Sequence, residues 1–265
     1  MTARDAAIAE LDGVVDGITT DADTAAELFA VVDLLDGQPM LRRSLSDPSA
    51  SDESRAELAT RLFAGKLAPA TLAVLEAVVT ASHRSGNALV TALDRQGVRL
   101  ALRQARDTGR LTTVSDQLFQ VASLVDGNGE LGAALRNPAY PVEAKRGLLA
   151  GLVAGKVSPT TAELVNRAVN PRRRTFGLTV QGYLDMAAKL AGQRIAKVTV
   201  ARELDPGRVD RLKAALEAQV GAPVTIQVAV DPAVLGGVNV SLGDDVYEST
   251  VAARLEDARR QLINL

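Results

Sequence analysis

The sequence predicts a mainly helical protein, with two tandem six-helix-type bundles followed by a small α+β module of β-α-β-β-α order. The first observation is an internal repeat with a spacing of 90 residues, because residues 27–37 (ELFAVVDLLDG) return as residues 117–127 (QLFQVASLVDG). Aligned without a gap, residues 28–101 and 118–191 share 22 identities in 74 positions, where chance gives roughly 6. The second observation is that the repeat stops near Ala191, where the hydrophobic period changes from helical to strand-like.

The first strong helix of the repeat is predicted by apolar residues spaced i, i+3, i+4 and i+7. Thr24 and Glu27 form a capping-box pattern at its start. Gly37, and Gly127 in the second repeat, are expected to end the helix as left-handed residues, because glycine has no Cβ to clash there. The apolar positions are Leu28, Val31, Val32 and Leu35 in the first repeat, and Leu118, Val121, Ala122 and Val125 in the second.

Four further features recur 90 residues later. A break at Asp47-Pro48 is followed by a helix carrying Leu58 and Leu62, which correspond to Leu148 and Leu152. Gly65 ends that helix and Pro69 begins the next one. A long helix over about residues 87–110 closes the first bundle and opens the second. We therefore expect the first bundle over residues 1–110 and the second over residues 88–195.

The last seventy residues form the predicted module, residues 196–265. Alternating residues predict strands, and Asp205-Pro206 is a typical helix start. The elements in order are a strand at 196–202, a helix at 205–220, strands at 224–230 and 237–242, a turn at 243–245 and an amphipathic helix at 250–265.

Composition excludes several classes of function. The chain has no Cys, a net charge of -2, 3% aromatic residues and one His, His83. Disulfides and thiolate sites are therefore absent. The composition also disfavours nucleic-acid binding and His-dependent catalysis, because the residues that these functions need are scarce. No apolar run is long enough to span a bilayer, and the N-terminus lacks the order of a signal peptide. We expect a cytoplasmic, non-catalytic protein with no cofactor and no direct membrane insertion.

Four local patterns have an alternative interpretation in terms of binding. Residues 64–66 (AGK) are read as a helix C-cap rather than a phosphate loop, since no earlier Gly has the required spacing. Residues 236–237 favour a strand bulge over an anion cradle. The acidic residues Asp231, Asp244 and Asp245 are interpreted as turn and cap residues rather than as magnesium ligands. Residues 172–174 (RRR) favour a solvated face over docking to an acidic helix.

The C-terminal stretch 231–262 resembles the signature of the δ subunit of bacterial ATP synthase, the counterpart of the mitochondrial oligomycin-sensitivity-conferring protein. An acidic residue and a Leu-Gly-Gly step lead into a short strand, a Gly-Asp turn, a second short strand and a helix containing Arg-Leu. Residues 248–250 (EST) replace the family's Asp-Gly-Ser and keep a hydroxyl able to cap the helix. The matching residues are Leu235, Gly236, Gly237, Val238, Val240, Gly243, Asp244, Thr250, Arg254 and Leu255.

The resemblance implies a non-catalytic peripheral-stalk subunit at the cytoplasmic face of the cell membrane. Its partners would be the α-subunit N-termini of the catalytic head and the membrane-anchored b-type subunits. Typical members carry one bundle, and the duplication is similar to longer actinobacterial forms. The segment 2–15 lacks the family's Tyr, which leaves open which bundle docks on the head. Carried over from the family's first and fifth helices, the partner-binding positions are Ala6, Ile8, Leu11, Leu72, Leu75 and Val79, each of which is equally compatible with a core role.

Two other functions remain open at this point. A free-standing helical-repeat adaptor would use the C-terminal module only as a cap. An acid–base hydrolase that uses carboxyl groups of shifted pKa would need a catalytic Asp or Glu. No group of residues in the sequence identifies such a residue.

Overall fold

A computed structural model describes residues 3–81, 83, 85–169, 175–192, 194–202, 204–221, 223–231, 237–242 and 245–250. Within these residues the chain is mainly helical and ends in a small mixed sheet. The helices are α1 (Ala3–Asp16), α2 (Thr24–Gly37), α3 (Pro39–Ser44), α4 (Asp52–Phe63), α5 (Pro69–Thr80), α6 (Gly86–Asp107), α7 (Leu111–Asp126), α8 (Gly129–Arg136), α9 (Val142–Val153), α10 (Pro159–Ala168), α11 (Phe176–Leu190) and α12 (Pro206–Val220). The strands are β1 (Arg194–Val200), β2 (Val224–Val230), β3 (Gly237–Leu242) and β4 (Asp245–Thr250).

The chain divides into two compact units. The N-terminal unit contains α1–α6, and the C-terminal unit contains α7–α12 and the sheet. We call α2–α6 the first copy and α7–α11 the second copy. The helices α3, α4, α5 and α6 each begin 90 residues before α8, α9, α10 and α11, respectively.

Most principal helix contacts of the first copy recur in the second, each within its own unit, but the contact of α3 with α6 is not among those that recur. In the first copy, α2 packs against α3, α5 and α6, while α5 packs against α4 and α6. In the second copy, α7 packs against α8, α10 and α11, while α10 packs against α9 and α11. The sequence repeat is therefore a repeat of helix boundaries and of most helix contacts.

The apolar stripes that the sequence predicts on α2 and α7 lie in the cores of the two units. Leu28 and Leu35 in α2 and Leu118 in α7 are fully buried. The helices predicted to carry Leu58 and Leu148 are present as α4 and α9, in which Leu58 is half-buried and Leu148 is exposed. The buried positions are instead Arg55, Ala59 and Phe63 in α4, and Leu149 and Val153 in α9.

Two predictions about helix ends are wrong. Glu27 does not close a capping box with Thr24; the Asp21 carboxylate accepts from Thr24 N at 2.9 Å, and Thr24 Oγ1 accepts from Asp21 N at 3.1 Å. Gly37 and Gly127 are not left-handed. The next helix begins only two residues later in both places, and the chain turns there through Gln38 (φ -126°, ψ 78°) and the extended Asn128 (φ -116°, ψ 98°). Gly65 and Gly155 do have positive φ, at 74° and 69°, and end α4 and α9 as predicted.

The C-terminal sheet has the strand order β2-β1-β3-β4. β1 and β2 run parallel and are connected through α12, whereas β3 is antiparallel to both β1 and β4. Its buried core comprises Ala196, Val198, Val200, Leu216, Val224 and Val240. The predicted module contains β4 in addition to the three strands assigned by alternation, and Thr250 ends that strand. The final helix was predicted over residues 250–265; its first residue is wrong, because Thr250 belongs to β4, and residues 251–265 lie outside the described residues.

Candidate partner-binding surfaces

The predicted partner-binding residues lie on α1 and α5, which contact each other within the N-terminal unit. Ala6 is exposed, whereas Ile8 and Leu11 on α1 and Leu72 on α5 are half-buried. Ile8, Leu11 and the fully buried Val15 follow a helical spacing of i, i+3 and i+7. The contact between the two helices therefore leaves apolar side-chain surface exposed to solvent.

Leu75 and Val79, the other two predicted residues, are core residues. Both side chains have 0% exposure. They present no surface to a partner, and the core role that the sequence left open applies to them.

Helix α1 is joined to α6 by ion pairs and hydrogen bonds. The Asp12 carboxylate accepts two hydrogen bonds from the Arg95 guanidinium, at 2.5 and 2.7 Å, and a third from Gln96 Nε2 at 2.8 Å. A bidentate arginine–carboxylate pair fixes both distance and orientation. The pair therefore sets where α1 lies along α6.

A second group of ion pairs lies one turn farther along both helices. Arg99 Nη2 donates to Asp16 at 2.5 Å, and Arg103 Nη1 donates to the same carboxylate at 3.2 Å. Arg103 also donates to the Ile18 carbonyl and to Thr20 Oγ1, at 3.2 and 2.6 Å. The segment that leaves α1 is thus held to α6 as well.

These contacts lower the pKa of both carboxyl groups. Burial alone raises the pKa of Asp12, but hydrogen bonds from Arg95 and Gln96 and the charges of Arg95 and Arg99 outweigh it, so the net pKa lies below the usual 3.8. The pKa of Asp16 is lowered chiefly by the hydrogen bond from Arg99. Both groups are therefore ionised at neutral pH.

A buried polar clamp joins α2 to the start of α5. Glu27 Oε2 accepts from Ala68 N at 2.9 Å and from the fully buried Thr71 hydroxyl at 2.5 Å. Ala68 is the N-cap of α5 and has no side-chain oxygen of its own to accept from the free N–H groups. The carboxylate of Glu27 takes that role, and its charge suits the positive end of the helix dipole.

The second copy repeats the clamp with a neutral group. Gln117 Oε1 accepts from Ser158 N at 2.9 Å and from the Thr161 hydroxyl at 2.8 Å. Here Ser158 is the N-cap of α10 and its own hydroxyl accepts from Thr161 N. A carboxylate is not required where the helix caps itself.

Arg55 is a buried cation that belongs to the first copy. Its guanidinium donates to the carbonyls of Val79 at 2.8 Å and Thr80 at 3.3 Å, which close α5, and to Asp52 at 2.5 Å. It also donates to two carbonyls of the loop before α4, at 3.2 and 2.9 Å. The corresponding residue of the second copy is Lys145, which is half-buried.

His83 contacts the same helix end. Its Nε2 lies 2.6 Å from the Val78 carbonyl. Burial lowers the pKa of His83 from 6.5, and the nearby Arg55 charge lowers it further, against the raising effect of the hydrogen bond. His83 therefore acts as a neutral donor at neutral pH.

The positions that correspond to the α1–α5 surface in the second repeat are mostly buried. A shift of 90 residues takes α1 onto residues 93–106, the second half of α6. The counterparts of Ala6, Ile8 and Leu11 are buried, and the counterpart of Leu72 is half-buried. In order, these counterparts are Gln96, Val98, Ala101 and Ala162.

The C-terminal family motif is only partly within the described residues. Gly237, Val238 and Val240 lie in β3 and Thr250 lies in β4, where Gly237 is paired with Thr250. Val240 is buried in the core of the sheet. Outside the described residues lie Leu235, Gly236, Gly243, Asp244, Arg254 and Leu255, together with the arginines 172–174.

Sequence reasoning missed the clamps and the α1–α6 ion pairs. The one available signal was the matched recurrence of Glu27 with Thr71 and of Gln117 with Thr161, each pair 44 residues apart. In the part of the chain that the structure describes, no group of three His, Cys, Asp or Glu side chains is placed to hold a metal ion. None of the described helices is long and apolar enough to cross a membrane.

Comparisons with known proteins give the family. The sequence model of the ATP synthase delta (OSCP) subunit matches residues 101–262. The ATP synthase subunit delta of Cutibacterium acnes is 42% identical over 99% of this chain and 100% of its own length. That of Nocardia farcinica is 39% identical, over 91% of this chain and 90% of its own.

A chain in the cryo-EM structure of the Toxoplasma gondii mitochondrial ATP synthase hexamer is 20% identical over 63% of this chain and 95% of that chain. Its TM-score is 0.39, too low for a residue-by-residue comparison. The family model and the two bacterial relatives together cover the second repeat, the sheet and nearly all of the first repeat. The chain belongs to the ATP synthase delta (OSCP) subunit family, whose members are non-catalytic components of the peripheral stalk of F-type ATP synthase.

Proposed function

We propose that this chain links the catalytic head to the membrane-anchored b-type subunits at the cytoplasmic face of the membrane. In this proposal the helices form two tandem bundles, residues 1–110 and 88–195, that share the linking helix. The α-subunit N-termini bind a helical bundle, and the module of residues 196–265 binds the b-type subunits. Two separate attachments let a stator resist the torque of rotation.

The observation that carries the proposal is the apolar surface left by α1 and α5. Ile8, Leu11 and Leu72 are half-buried and Ala6 is exposed. An amphipathic helix from a partner gains free energy by burying its apolar stripe against such a surface. We infer that these four residues hold the N-terminal helix of an α subunit.

Helices α1 and α5 are better candidates for this contact than the corresponding segments of the second repeat. The family model matches from residue 101, which by analogy alone would favour the second copy. The burial of Gln96, Val98 and Ala101 argues against that analogy, because a buried side chain offers no area to a partner helix. We therefore assign head binding to α1 and α5, and a spacing role to the second copy.

Binding to the isolated catalytic head tests the proposal. The purified full chain is expected to form a complex with Kd below about 1 μM, equivalent to about 8 kcal/mol of binding free energy. Cross-linking of that complex is expected to join α-subunit N-termini to α1 or α5. An unrelated helical adaptor would show neither result, and cross-links confined to α9 or α10 would contradict the assignment to α1 and α5.

A substitution in β3 tests the second attachment. Gly237 is paired with Thr250 in the β3–β4 ladder, beside the family's Leu-Gly-Gly step. Gly237→Val is expected to weaken binding to the b-type subunits while the helical circular dichroism signal and head binding stay unchanged. Unchanged b binding by a soluble, folded variant would count against this part of the proposal.

A further inference from the structure

A groove of about 610 Å³ opens in the N-terminal unit where α3 and the loop after it meet the start of α6. Its lining includes Pro39, Met40, Arg42, Arg43 and Gly86. None of the four residues proposed to hold the catalytic head lies in it. The groove is therefore a separate surface of the same unit.

The groove offers two guanidinium groups and an apolar wall; the Asp47 carboxylate, which also lines it, accepts hydrogen bonds from Ser49 N and Oγ at 2.9 and 2.7 Å. The carboxylate nearest to Arg42 is that of Asp36, at 3.8 Å, which is too long for a hydrogen bond. Arg43 is exposed and makes no ion pair or hydrogen bond with any residue in the described part of the chain. The Met40 side chain is 74% exposed. The groove thus has charge and apolar area available to a ligand.

Glycine at position 86 is required for this arrangement. A Cβ on Gly86 would lie 2.8 Å from Cγ of Arg42 and 3.3 Å from Oγ of Ser46. The missing side chain lets the stem of Arg42 lie across the start of α6. That helix start adds a partial positive charge to the two guanidinium groups.

In the second copy the positions of Arg42 and Gly86 carry residues of the opposite size. Arg42 corresponds to Gly132 and Gly86 to the buried Phe176, so the small and the large residue exchange places. Arg43 corresponds to Ala133. The α7–α8 contact forms in the second copy without either arginine, so the matching α2–α3 contact does not need the two cations, whereas the α3–α6 contact that borders the groove belongs to the first copy. The two cations are consistent with a binding role.

We propose that this groove binds an acidic segment of another subunit of the complex, with two carboxylates on Arg42 and Arg43 and an apolar side chain on Met40. Guanidinium groups pair with carboxylates in a bidentate geometry, which gives both affinity and register. A bare inorganic anion would leave Met40 and Pro39 uncovered. An anionic membrane is disfavoured by the chain's net charge of -2, which provides no basic field to draw it to the surface.

Site-specific photo-cross-linking in the assembled ATP synthase tests this inference. With p-benzoylphenylalanine in place of Met40, the cross-linked peptide is expected to come from a partner subunit and to contain at least two Asp or Glu side chains close together. The control places the same probe at Leu124, which is 50% exposed on α7. The probe is carried on the full-length chain, which is incorporated into the complex before irradiation.

The double substitution Arg42→Gln with Arg43→Gln is expected to lower the cross-link yield at position 40 about tenfold, through loss of two charge-assisted contacts, and to leave the yield at position 124 unchanged. Thermal unfolding of the double variant checks that the unit remains folded. If the double variant does not fold, the single variant Arg43→Gln, at an exposed position, is used for the same cross-linking measurement. A cross-link to a basic or uncharged segment, to lipid, or to nothing would overturn the inference. So would a yield that does not depend on the arginines.

Discussion

The two copies of the repeat build most of the same helix contacts with different chemistry. The first copy uses ionised side chains inside or at the edge of its core, as in the Glu27 clamp and the Arg55 contacts with the end of α5. The second copy uses Gln117, a self-capping Ser158 and the half-buried Lys145 at the corresponding places. The same two helix contacts are thus made by a carboxylate in the first copy and by an amide and a serine cap in the second, while the second copy buries a cation of its own, Arg167, where the first has Ala77.

The difference extends to the helix that precedes each copy. Helix α1 has Val15 as its fully buried apolar residue within the described part of the helix, and it is joined to α6 through Asp12 and Asp16. The corresponding residues 93–106 are the second half of a continuous 22-residue helix, α6. A helix held by ion pairs keeps its apolar side chains available for a partner, which a helix buried among others cannot do.

The largest effect is expected from Arg55→Ala. Removal of the guanidinium leaves carbonyls at the end of α5 without a donor, at an expected cost of about 3 kcal/mol in the free energy of unfolding of the N-terminal unit. Hydrogen exchange of the amides in α4 and α5 measures the loss. Lys145→Ala is the matched control, with an expected effect of about 0.5 kcal/mol on α9 and α10. Equal effects in the two copies would remove the distinction.

The next effect is expected from Gly97→Ala, at the crossing of α6 with α2. A Cβ there would lie 2.5 Å from Cε1 of Phe29, which is buried and has little room to move. The clash outweighs the better helix propensity of Ala, and we expect a net loss of about 2 kcal/mol. Urea unfolding measures the loss in the free energy of unfolding, and hydrogen exchange shows which helices lose it.

The control for that crossing is Gly13→Ala on α1, where a Cβ meets nothing within 4 Å. It is expected to stabilise α1 by up to about 1 kcal/mol, through helix propensity alone. A Gly97→Ala protein as stable as the parent would show that α2 and α6 lie farther apart than described.

A smaller effect is expected from Glu27→Gln, which copies the second clamp into the first copy. Loss of the charge at the start of α5 is expected to cost about 1 kcal/mol, because Ala68 cannot cap the helix itself. Ala68→Ser in the same protein is expected to restore most of that loss by supplying the cap that Ser158 provides in α10. A double-mutant cycle on thermal unfolding measures the coupling, and additive effects would refute it.

The smallest effect concerns the attachment of α1 as a function of pH. Since the pKa of Asp12 in the folded protein is below the usual 3.8, its ion pairs stabilise the docked helix above that pH and lose this contribution as the pH falls through the lowered pKa. The contribution is about 1 kcal/mol for such a part-exposed pair, and high salt reduces it. The chain has no Cys, so a fluorophore on Ala6→Cys reports α1 alone by its anisotropy.

Anisotropy is expected to fall on acidification below pH 4 and to fall earlier in 1 M NaCl. Asp12→Asn provides the comparison, since it removes the titrating carboxyl and is expected to give low anisotropy at neutral pH as well. An α1 signal that is the same in both proteins at pH 7 would show that the ion pairs do not hold the helix.

Hydrophobic periodicity, together with Pro and Gly residues at the ends of elements, predicted most of the helices and three of the four described strands, because these signals are local. Pro69 and Pro159 begin helices and Gly65 and Gly155 end them, as predicted. The predicted capping box failed because Glu27 bonds to Thr71, 44 residues away, which no local pattern can indicate. The buried side chains of α4 were not assigned from the sequence, since Arg55, one of them, has the character of a solvent-facing residue in a charged helix.

The candidate surfaces were predictable to a lesser extent. The positions on α1 and α5 came from a resemblance, and burial then separated Leu75 and Val79 from the half-exposed residues, which spacing alone could not do. Strand β4 was not assigned from alternation, because residues 245–250 follow a turn signal and merge into an amphipathic pattern. The groove at Arg42 depends on Gly86, which lies 44 residues farther along the chain.

We propose that α1 and α5, and not the corresponding segments of the second repeat, hold the catalytic head. The most direct test of this claim compares Leu72→Glu on α5 with Ala162→Glu at the matched position of α10, where both parent side chains are half-buried. Binding of each full-length variant to the isolated head is measured by titration. Leu72→Glu is expected to raise Kd by at least about tenfold, or 1.4 kcal/mol, and Ala162→Glu is expected to leave it unchanged. The reverse result, with both proteins folded, would contradict the account.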